Sequence, residues 1–154
     1  MKLEHAQRYR LDTRADSYTV SGADDVRHFT APATKHVPKL YIVSRHGIPG
    51  YVGITSQSMA TRLRFGLKAD GQHGYHGYRW RNQRGLALDI WCLAGASSKR
   101  ASGELECVEA EVVFLVRQTF DRWPEFQTEI HFHQSTTFHR NSAARIIQHL
   151  ERNA

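Results

Sequence analysis

The sequence predicts a small α/β protein of the α+β kind, in which helices flank a three-stranded antiparallel or mixed sheet. Its 154 residues suit a single domain. Two β-branched and aromatic runs separated by turn residues predict a hairpin. A third such run and two amphipathic helical patterns give the order β-β-α-β-α. Because hairpins join antiparallel strands, this order favours an antiparallel or mixed sheet over a doubly wound one.

The first strands are expected after a polar N-terminal segment. Residues 1–38 are polar and rich in turn formers, and we interpret them as an arm with one short strand at 18–20. The domain proper is expected over residues 39–154. It begins with strands at 40–43 and 51–55, and the glycine and proline residues between them predict a turn of several residues.

The rest of the domain alternates helical and extended patterns. Serine before an amphipathic pattern is a typical helix N-cap. Pro124 marks the end of the longest helical pattern, because proline cannot continue a helix. The expected order is a helix beginning at Ser56 or Ser58, a loop over 71–82, a strand over 86–93, a helix over 101–120 and a terminal helix over 141–152.

The positive charge is concentrated in the middle of the chain. The formal net charge is +6, yet residues 45–100 alone carry nine Lys and Arg against two Asp and Glu. Such a basic block attracts phosphate backbones without reading their sequence. The alternative interpretation is a solvated basic face that has no partner.

Two further features exclude whole classes of protein. No apolar run approaches the ~20 residues of a membrane span, and residues 1–14 contain no apolar segment of the secretory kind. Cys92 and Cys107 lack the spacing of a zinc ribbon or a redox pair. We therefore expect an intracellular, cytoplasmic protein with reduced thiols and no membrane partner.

One carboxylate falls on the apolar side of the longest predicted helix. On a helical wheel, Leu105, Val112 and Val116 define an apolar stripe, and Glu109 lies inside it or at its edge. A buried carboxylate is costly unless it is paired, protonated or bound to a cation. Glu109 is therefore the first candidate acid. The alternative is a boundary residue that reaches water or pairs with an arginine.

The ten histidines offer a second kind of site. His131 and His133 share one face of an extended segment, and His139 follows them. Imidazoles in such a pattern can hold a metal, although no third ligand has a diagnostic spacing. A histidine-bound metal hydrolase centred on these three residues is one alternative function. Ordinary polar positions, or the lining of a pocket, are the other interpretation.

Five short motifs together resemble those of the GIY-YIG nuclease family. They span residues 39–127, and the β-β-α-β-α order agrees with that family's fold. Each motif is weak alone, and the series carries the resemblance. The motifs are Lys39-Leu40-Tyr41, Tyr51-Val52-Gly53, Arg62-Leu63, Glu109-Ala110-Glu111-Val112-Val113 and Pro124-Glu125-Phe126-Gln127.

The motifs depart from the family pattern at three places. The first lacks its glycine and carries Leu40 where isoleucine is usual, and the last ends in Gln127 where the family has asparagine. The family often has a second tyrosine or histidine soon after the arginine. His73, Tyr75 and His76 are the candidates for that position, and His76 is preferred.

The resemblance implies a metal-dependent endonuclease that hydrolyses DNA one strand at a time. It implies Glu109 as the ligand of one Mg²⁺ or Mn²⁺ ion, with Glu111 as the alternative, because carboxylate oxygens suit hard cations. It places Arg62 on the scissile phosphate and a tyrosine beside the attacking water. The implied catalytic set is Tyr41, Tyr51, Arg62, His76, Glu109 and Gln127.

Basic and aromatic side chains around this set are expected to bind the nucleic acid. We expect DNA in preference to RNA, and a double-strand break would need a dimer or two binding events. The alternative within the same fold is a domain that binds nucleic acid without cleaving it. The candidate phosphate contacts are Arg64, Lys68, Arg79 and Arg81, and the candidate stacking residues are Tyr75, Tyr78 and Trp80.

Overall fold

The computed structural model describes the whole chain, residues 1–154, as a five-stranded antiparallel sheet with helices on both faces. Across the sheet the strands lie in the order β2-β1-β5-β3-β4. The strands are β1 (Lys2–Arg14), β2 (Ser17–Ser21), β3 (Lys39–Arg45), β4 (Ile48–Thr55) and β5 (Leu86–Ala94). The helices are α1 (Met59–Lys68), α2 (Ser98–Phe120) and α3 (Thr137–Arg152).

The predicted α+β class is confirmed, but the predicted three-stranded sheet and its exact element order are wrong. Residues 1–38, interpreted as an arm, supply β1 and β2. β1 lies between β2 and β5: residues 2–11 pair with β5 and residues 10–14 pair with β2, so backbone hydrogen bonds hold the strand in the sheet along its whole length. The sequence did not predict β1 as a full strand because it is rich in arginine. Patterns in a sequence indicate a strand through the burial of its side chains and not through the pairing of its backbone.

A bulge in β1 divides its side chains between the two faces of the sheet. The pairing with β5 shifts between His5 and Gln7. As a result Leu3 joins the core under α2 and α3, while Tyr9 joins the core under α1. An uninterrupted strand would place these odd-numbered residues on one face. The extra residue therefore turns His5 toward His149 of α3.

β3 and β4 form the predicted hairpin, with a shorter turn than the sequence indicated. The two turn residues, His46 and Gly47, have φ values of 50° and 74°, as a type I′ turn requires. Tyr41 lies opposite Gly53 in the ladder, and Tyr51 lies on the same face because alternate residues of a strand share a face. The register thus directs both tyrosines to the face that α1 covers.

Two separate cores cover the opposite faces of the sheet. α1 contributes Leu63 and Leu67 to the first core, where they pack with Tyr41 and Leu88. α2 and α3 cover the second face, where β3 and β4 supply the apolar partners. The helix residues buried there include Leu105, Val108, Val112, Val116, Ala143, Ile146 and Leu150.

Two of the three helices, α1 and α3, begin at positions that capping interactions explain. Ser58 caps α1, because its hydroxyl accepts a hydrogen bond from the backbone nitrogen of Thr61 at 3.2 Å. α3 begins earlier than predicted, at Thr137, because Thr136 and His139 form a reciprocal capping box. None of the helices has the length and apolar character that crossing a bilayer requires.

Candidate active site

The side chain of Arg62, on α1, is held by three tyrosines that we call the tyrosine cage: Tyr41, Tyr75 and Tyr78. Its Nε donates a hydrogen bond to Tyr41 Oη at 3.2 Å, and a terminal nitrogen donates to Tyr75 Oη at 3.2 Å. The guanidinium carbon lies 5.3 Å from the ring centre of Tyr78 and 5.8 Å from that of Tyr75. These partners are neutral, so they fix the guanidinium without cancelling its charge.

Hydrogen bonds within the cage close a ring. Tyr41 Oη and Tyr78 Oη are 2.9 Å apart, and Tyr78 Oη donates to the backbone oxygen of Arg62 at 3.4 Å. One direction of donation satisfies every member: Arg62 to Tyr41, Tyr41 to Tyr78, and Tyr78 back to the carbonyl of Arg62. Arg62 is therefore fixed at both its guanidinium and its backbone.

Two glycines make room for the tyrosine rings. A Cβ atom on Gly53 would lie 2.8 Å from Tyr41 Oη and 2.8 Å from Tyr51 Cε1. A Cβ atom on Gly66, inside α1, would lie 2.1 Å from the ring of Tyr78. Glycine inside a helix costs about 0.5–1 kcal/mol relative to alanine. That cost is offset here by the close approach of the Tyr78 ring to α1.

Tyr51 connects the tyrosine cage to α2. Its ring centre lies 5.8 Å from that of Tyr41 and 5.4 Å from that of Tyr78. Burial raises the pKa of the Tyr51 phenol well above its ordinary value, and neighbouring Tyr41 and the charge of Glu109 raise it further. Burial also raises the pKa of Tyr41. Both phenols are therefore neutral near pH 7 and act as hydrogen-bonding groups.

Glu109 is a half-buried carboxylate on α2. Burial first, and the charge of Glu106 second, raise its pKa to about 7, while the positive charge of Arg62 lowers it. Its carboxylate has no hydrogen-bond or ion-pair partner in the protein. Mg²⁺ binds through one or two carboxylates and keeps several waters. An unpartnered carboxylate beside a second one fits such an ion, because the cation would relieve the repulsion between them.

Glu111, the alternative ligand, belongs to another side of α2. Burial first, and then a group of carboxylates that includes Glu111, raise the pKa of Cys107. Glu109 and Glu111 are about 200° apart around the axis of the helix, and it is the charge of Glu109 that raises the pKa of Tyr51. The arrangement therefore favours Glu109 over Glu111 as the acid that faces Arg62.

Gln127 holds the edge strand beside Tyr51. Its amide oxygen accepts a hydrogen bond from the backbone nitrogen of Val52 at 3.0 Å, and its amide nitrogen donates to the backbone oxygen of Val52 at 3.1 Å. The backbone nitrogen of Phe126 donates to Gly50 at 2.8 Å. Gln127 therefore fixes the strand that carries Tyr51 and acts as a positioning residue.

Two of the predicted site residues have other surroundings. His76 is exposed. The position beside Arg62 that the sequence suggested for His76 is occupied by Tyr78. Arg81 donates hydrogen bonds to the backbone oxygens of Ala69 at 2.5 Å and His76 at 2.7 Å. Its guanidinium thus fastens the loop after α1 to the helix. No spacing in the sequence indicated Tyr78 for this position, because its place depends on contact with α1.

The surface next to the cage is basic and aromatic. Arg64, Lys68 and Arg79 are exposed and make no ion pair within the protein. Tyr75 stacks on Phe65, with ring centres 5.0 Å apart and planes 15° apart, and Phe65 is 57% exposed. The sequence reasoning missed Phe65, although a phenylalanine outside the apolar stripe of α1 was an available signal.

Several other predicted partners do not reach this surface. Tyr78 and Trp80 are buried in the core under α1, so neither is free to stack on a base. The three histidines of the alternative hydrolase do not converge. His131, His133 and His139 instead lie 3.1, 3.7 and 2.6 Å from Glu129, Glu106 and Glu104 respectively.

Comparison of the chain with models of protein families, with curated proteins and with solved structures finds no match. The most specific chemical feature of this face is the fixed, unneutralised charge of Arg62, together with the unpartnered carboxylate of Glu109 whose pKa that charge lowers.

Proposed function

We propose that this protein is a divalent-metal-dependent endonuclease that hydrolyses DNA one strand at a time, as the resemblance to GIY-YIG nucleases implies. The observation that carries the proposal is the convergence of Tyr41, Tyr51, Arg62 and Glu109 from β3, β4, α1 and α2. Glu109 and Arg62 are close enough for the charge of one to change the pKa of the other.

Arg62 binds the scissile phosphate in this proposal. Two of its donors hold Tyr41 and Tyr75, which leaves three of its five N–H groups for phosphate oxygens. A guanidinium matches the geometry of a phosphate and keeps its charge at every physiological pH. The tyrosine cage reduces the entropy lost on binding because it holds the side chain in one place.

Glu109 holds the Mg²⁺ or Mn²⁺ ion. When bound, the ion supplies positive charge that stabilises the phosphate and the leaving 3′ oxygen during hydrolysis. Glu109 itself must be ionised to bind the ion, so its pKa of about 7 makes metal binding compete with protonation near neutral pH.

The two hairpin tyrosines divide their roles. Tyr41 is fully buried and holds Arg62, so it is a positioning residue. Tyr51 is partly exposed, and its phenol is near enough to Tyr41 and to Glu109 for both to raise its pKa, so we assign the attacking water to Tyr51. A neutral phenol is a poor base, so Tyr51 orients this water by hydrogen bonding.

The bound strand crosses α1 and the loop that follows it. Arg64, Lys68 and Arg79 supply charge for its phosphates. The exposed pair of Phe65 and Tyr75 offers an aromatic surface on which a base next to the scissile phosphate stacks. Tyr75 joins the two functions, because its hydroxyl accepts a hydrogen bond from Arg62.

The test is nicking of supercoiled plasmid by the full chain with Mg²⁺ or Mn²⁺, with EDTA as the metal-free control. Glu109→Gln keeps the size of the side chain and should lower the nicking rate on the order of 10²-fold or more. Glu111→Gln, the matched control on the same helix, should keep most of the rate. Nicking that persists in EDTA or in Glu109→Gln would overturn the proposal.

A second candidate is a domain of this fold that binds nucleic acid without cutting it. The observation in its favour is Gln127, whose amide hydrogen bonds go to backbone groups of Val52 and Glu129, so that none faces a substrate. In this alternative the plasmid shifts on a gel with Mg²⁺ present, the shift depends on Arg64 and Lys68, and no nicked product accumulates.

A further inference from the structure

The geometry points to a metal site on the opposite face of the sheet, formed by His5, Asp89 and His149, for a divalent ion that prefers imidazole ligands, such as Zn²⁺. It does not rest on the nuclease proposal. The three residues come from β1, β5 and α3, so one ion would join the N-terminal strand, the central strand and the last helix.

The ligand atoms already lie at spacings that suit a small ion. His5 Nε2 is 2.8 Å and His149 Nε2 is 3.4 Å from the same oxygen, Asp89 Oδ1, and all three ligand atoms lie within 4.8 Å of one another. A tetrahedral zinc ion with bonds near 2.0–2.2 Å separates its ligand atoms by roughly 3.4 Å. Only small side-chain movements are needed to bind it.

Buried polar atoms without hydrogen bonds support the inference that a bound ion completes this cluster. The side chain of Asp89 is 0% exposed, and its Oδ2 makes no hydrogen bond and has only Arg8, at 3.4 Å, as an ionic partner. His149 Nε2 is buried and makes no hydrogen bond either. Buried polar groups are rarely left in this state. The contact of His5 with Asp89 still leaves His149 Nε2 without a hydrogen bond. A metal ion satisfies both imidazoles and the carboxylate together.

The surrounding residues hold the three ligands in place. Trp91 packs edge-on against both imidazoles, with ring centres 5.1 Å from His5 and 5.2 Å from His149. Arg8 lies 3.4 Å from Asp89 Oδ2, which directs the other oxygen toward the histidines. Outer residues of this kind orient the ligands of metal sites.

The donor set and the exposure select the class of ion. Neutral imidazole suits Zn²⁺ and other transition ions, whereas Mg²⁺ takes oxygen ligands. The side chains of His5 and His149 are each 25% exposed, so the site lies close to the surface. Three protein ligands and one open position define a site of this type.

The experiment measures metal bound to the full chain after EDTA treatment and dialysis against Zn²⁺, together with thermal unfolding in Zn²⁺ or Mg²⁺. We expect about one tightly bound zinc per chain and a higher unfolding temperature in Zn²⁺ only. Substituted Co²⁺ should give the intense visible absorption of four-coordinate geometry. Absence of tight zinc binding, or equal stabilisation by Mg²⁺, would overturn the inference.

Two variants and one control locate the ion. His149→Gln and His5→Gln should each weaken zinc binding by about 100-fold and abolish the cobalt spectrum. His133→Gln removes an imidazole that is outside the cluster, and it should bind zinc as the native chain does. His5→Gln, at a partly exposed position, is the variant expected to stay folded, and circular dichroism without metal checks this. Native zinc affinity in folded His5→Gln contradicts the site.

Discussion

Two buried polar clusters occupy opposite faces of one sheet, and the charges at their centres have opposite signs. In the tyrosine cage, a cation is surrounded by neutral phenols that hold Arg62 without neutralising it. Around Asp89, an anion is surrounded by two imidazoles and Arg8, and one carboxylate oxygen still lacks a hydrogen bond. The first cluster is suited to an anionic ligand, because it leaves the charge of Arg62 unbalanced, and the second is suited to a cation that imidazole and carboxylate groups can ligate.

The clusters also differ in how the chain builds them. Tyr41, Tyr51 and Arg62 are close in sequence, and the hairpin and the helix after it bring them together. His5, Asp89 and His149 come from the two ends and the middle of the chain. We therefore expect substitutions of Arg62 to change activity first, and substitutions of Asp89 to change stability first.

The largest expected effect is on catalysis. Arg62→Lys should lower the plasmid nicking rate by about 10³-fold, because lysine supplies a point charge and loses the planar pair of donors. The neighbouring Arg64→Lys is the matched control, and it should stay within a few-fold of the native rate. A native-like rate in Arg62→Lys would remove Arg62 from the reacting centre.

Asp89→Asn tests the other cluster. We expect it to lower the free energy of unfolding in EDTA by about 3 kcal/mol, because it leaves Arg8 without its anionic partner in a buried site. Urea unfolding measures the change, and Asp16→Asn, at an exposed position, is the control. An equal and small change in both variants would show that the charge of Asp89 does not matter.

Gly66→Ala tests whether the cage must be tightly packed. The new methyl group displaces Tyr78, which moves Arg62 through their shared hydrogen bonds, and a misplacement of about 1 Å can cost about 100-fold in rate. Gly103→Ala is the control in another helix, because a Cβ atom there meets nothing within 4 Å. Nicking rates of the two variants relative to the native chain give the comparison.

The raised pKa of Glu109 predicts two pH effects. Below its pKa of about 7, Mn²⁺ affinity should fall by about tenfold per pH unit, because the ion competes with a proton. Without metal, the folded chain binds more protons than the unfolded chain between the two pKa values, so stability falls as pH rises from 4.5 to about 7. Titration calorimetry and urea unfolding at several pH values measure both, and Glu109→Gln should remove both dependences.

The smallest expected effect concerns the exposed aromatic pair. Phe65→Ala should weaken binding of single-stranded DNA by about tenfold, because a stacked base contributes about 1–3 kcal/mol. Phe114→Ala, which removes an exposed ring of α2, is the control. Fluorescence anisotropy in EDTA separates binding from cleavage. Equal affinities of the two variants would place the strand elsewhere.

The sequence predicted the parts of the molecule whose patterns are local. The hairpin, α1, β5, α2 and α3 all follow from apolar periodicity and capping residues. β1 escaped prediction because β5, with which most of it pairs, is distant in the sequence, and because its bulge breaks the alternation of apolar residues.

The same distinction applies to the candidate sites. Short motifs identified Tyr41, Tyr51, Arg62 and Glu109 as candidates, and the structure brings them together. Tyr78 and the cluster around Asp89 could not be predicted, because both depend on contacts between elements far apart in the chain. Arg81 is a different case, since its charge suggested a phosphate contact while its geometry assigns it to backbone oxygens.

The segment that contains Gln127 has a consequence for self-association. Phe126 and Gln127 occupy hydrogen-bonding groups of Gly50 and Val52 along the outer edge of β4. An edge with its groups occupied does not recruit a further strand. Sheet extension between two copies is therefore left to the short strand β2, at the far side of the sheet. A dimer formed in that way would keep both Tyr51 faces open to solvent.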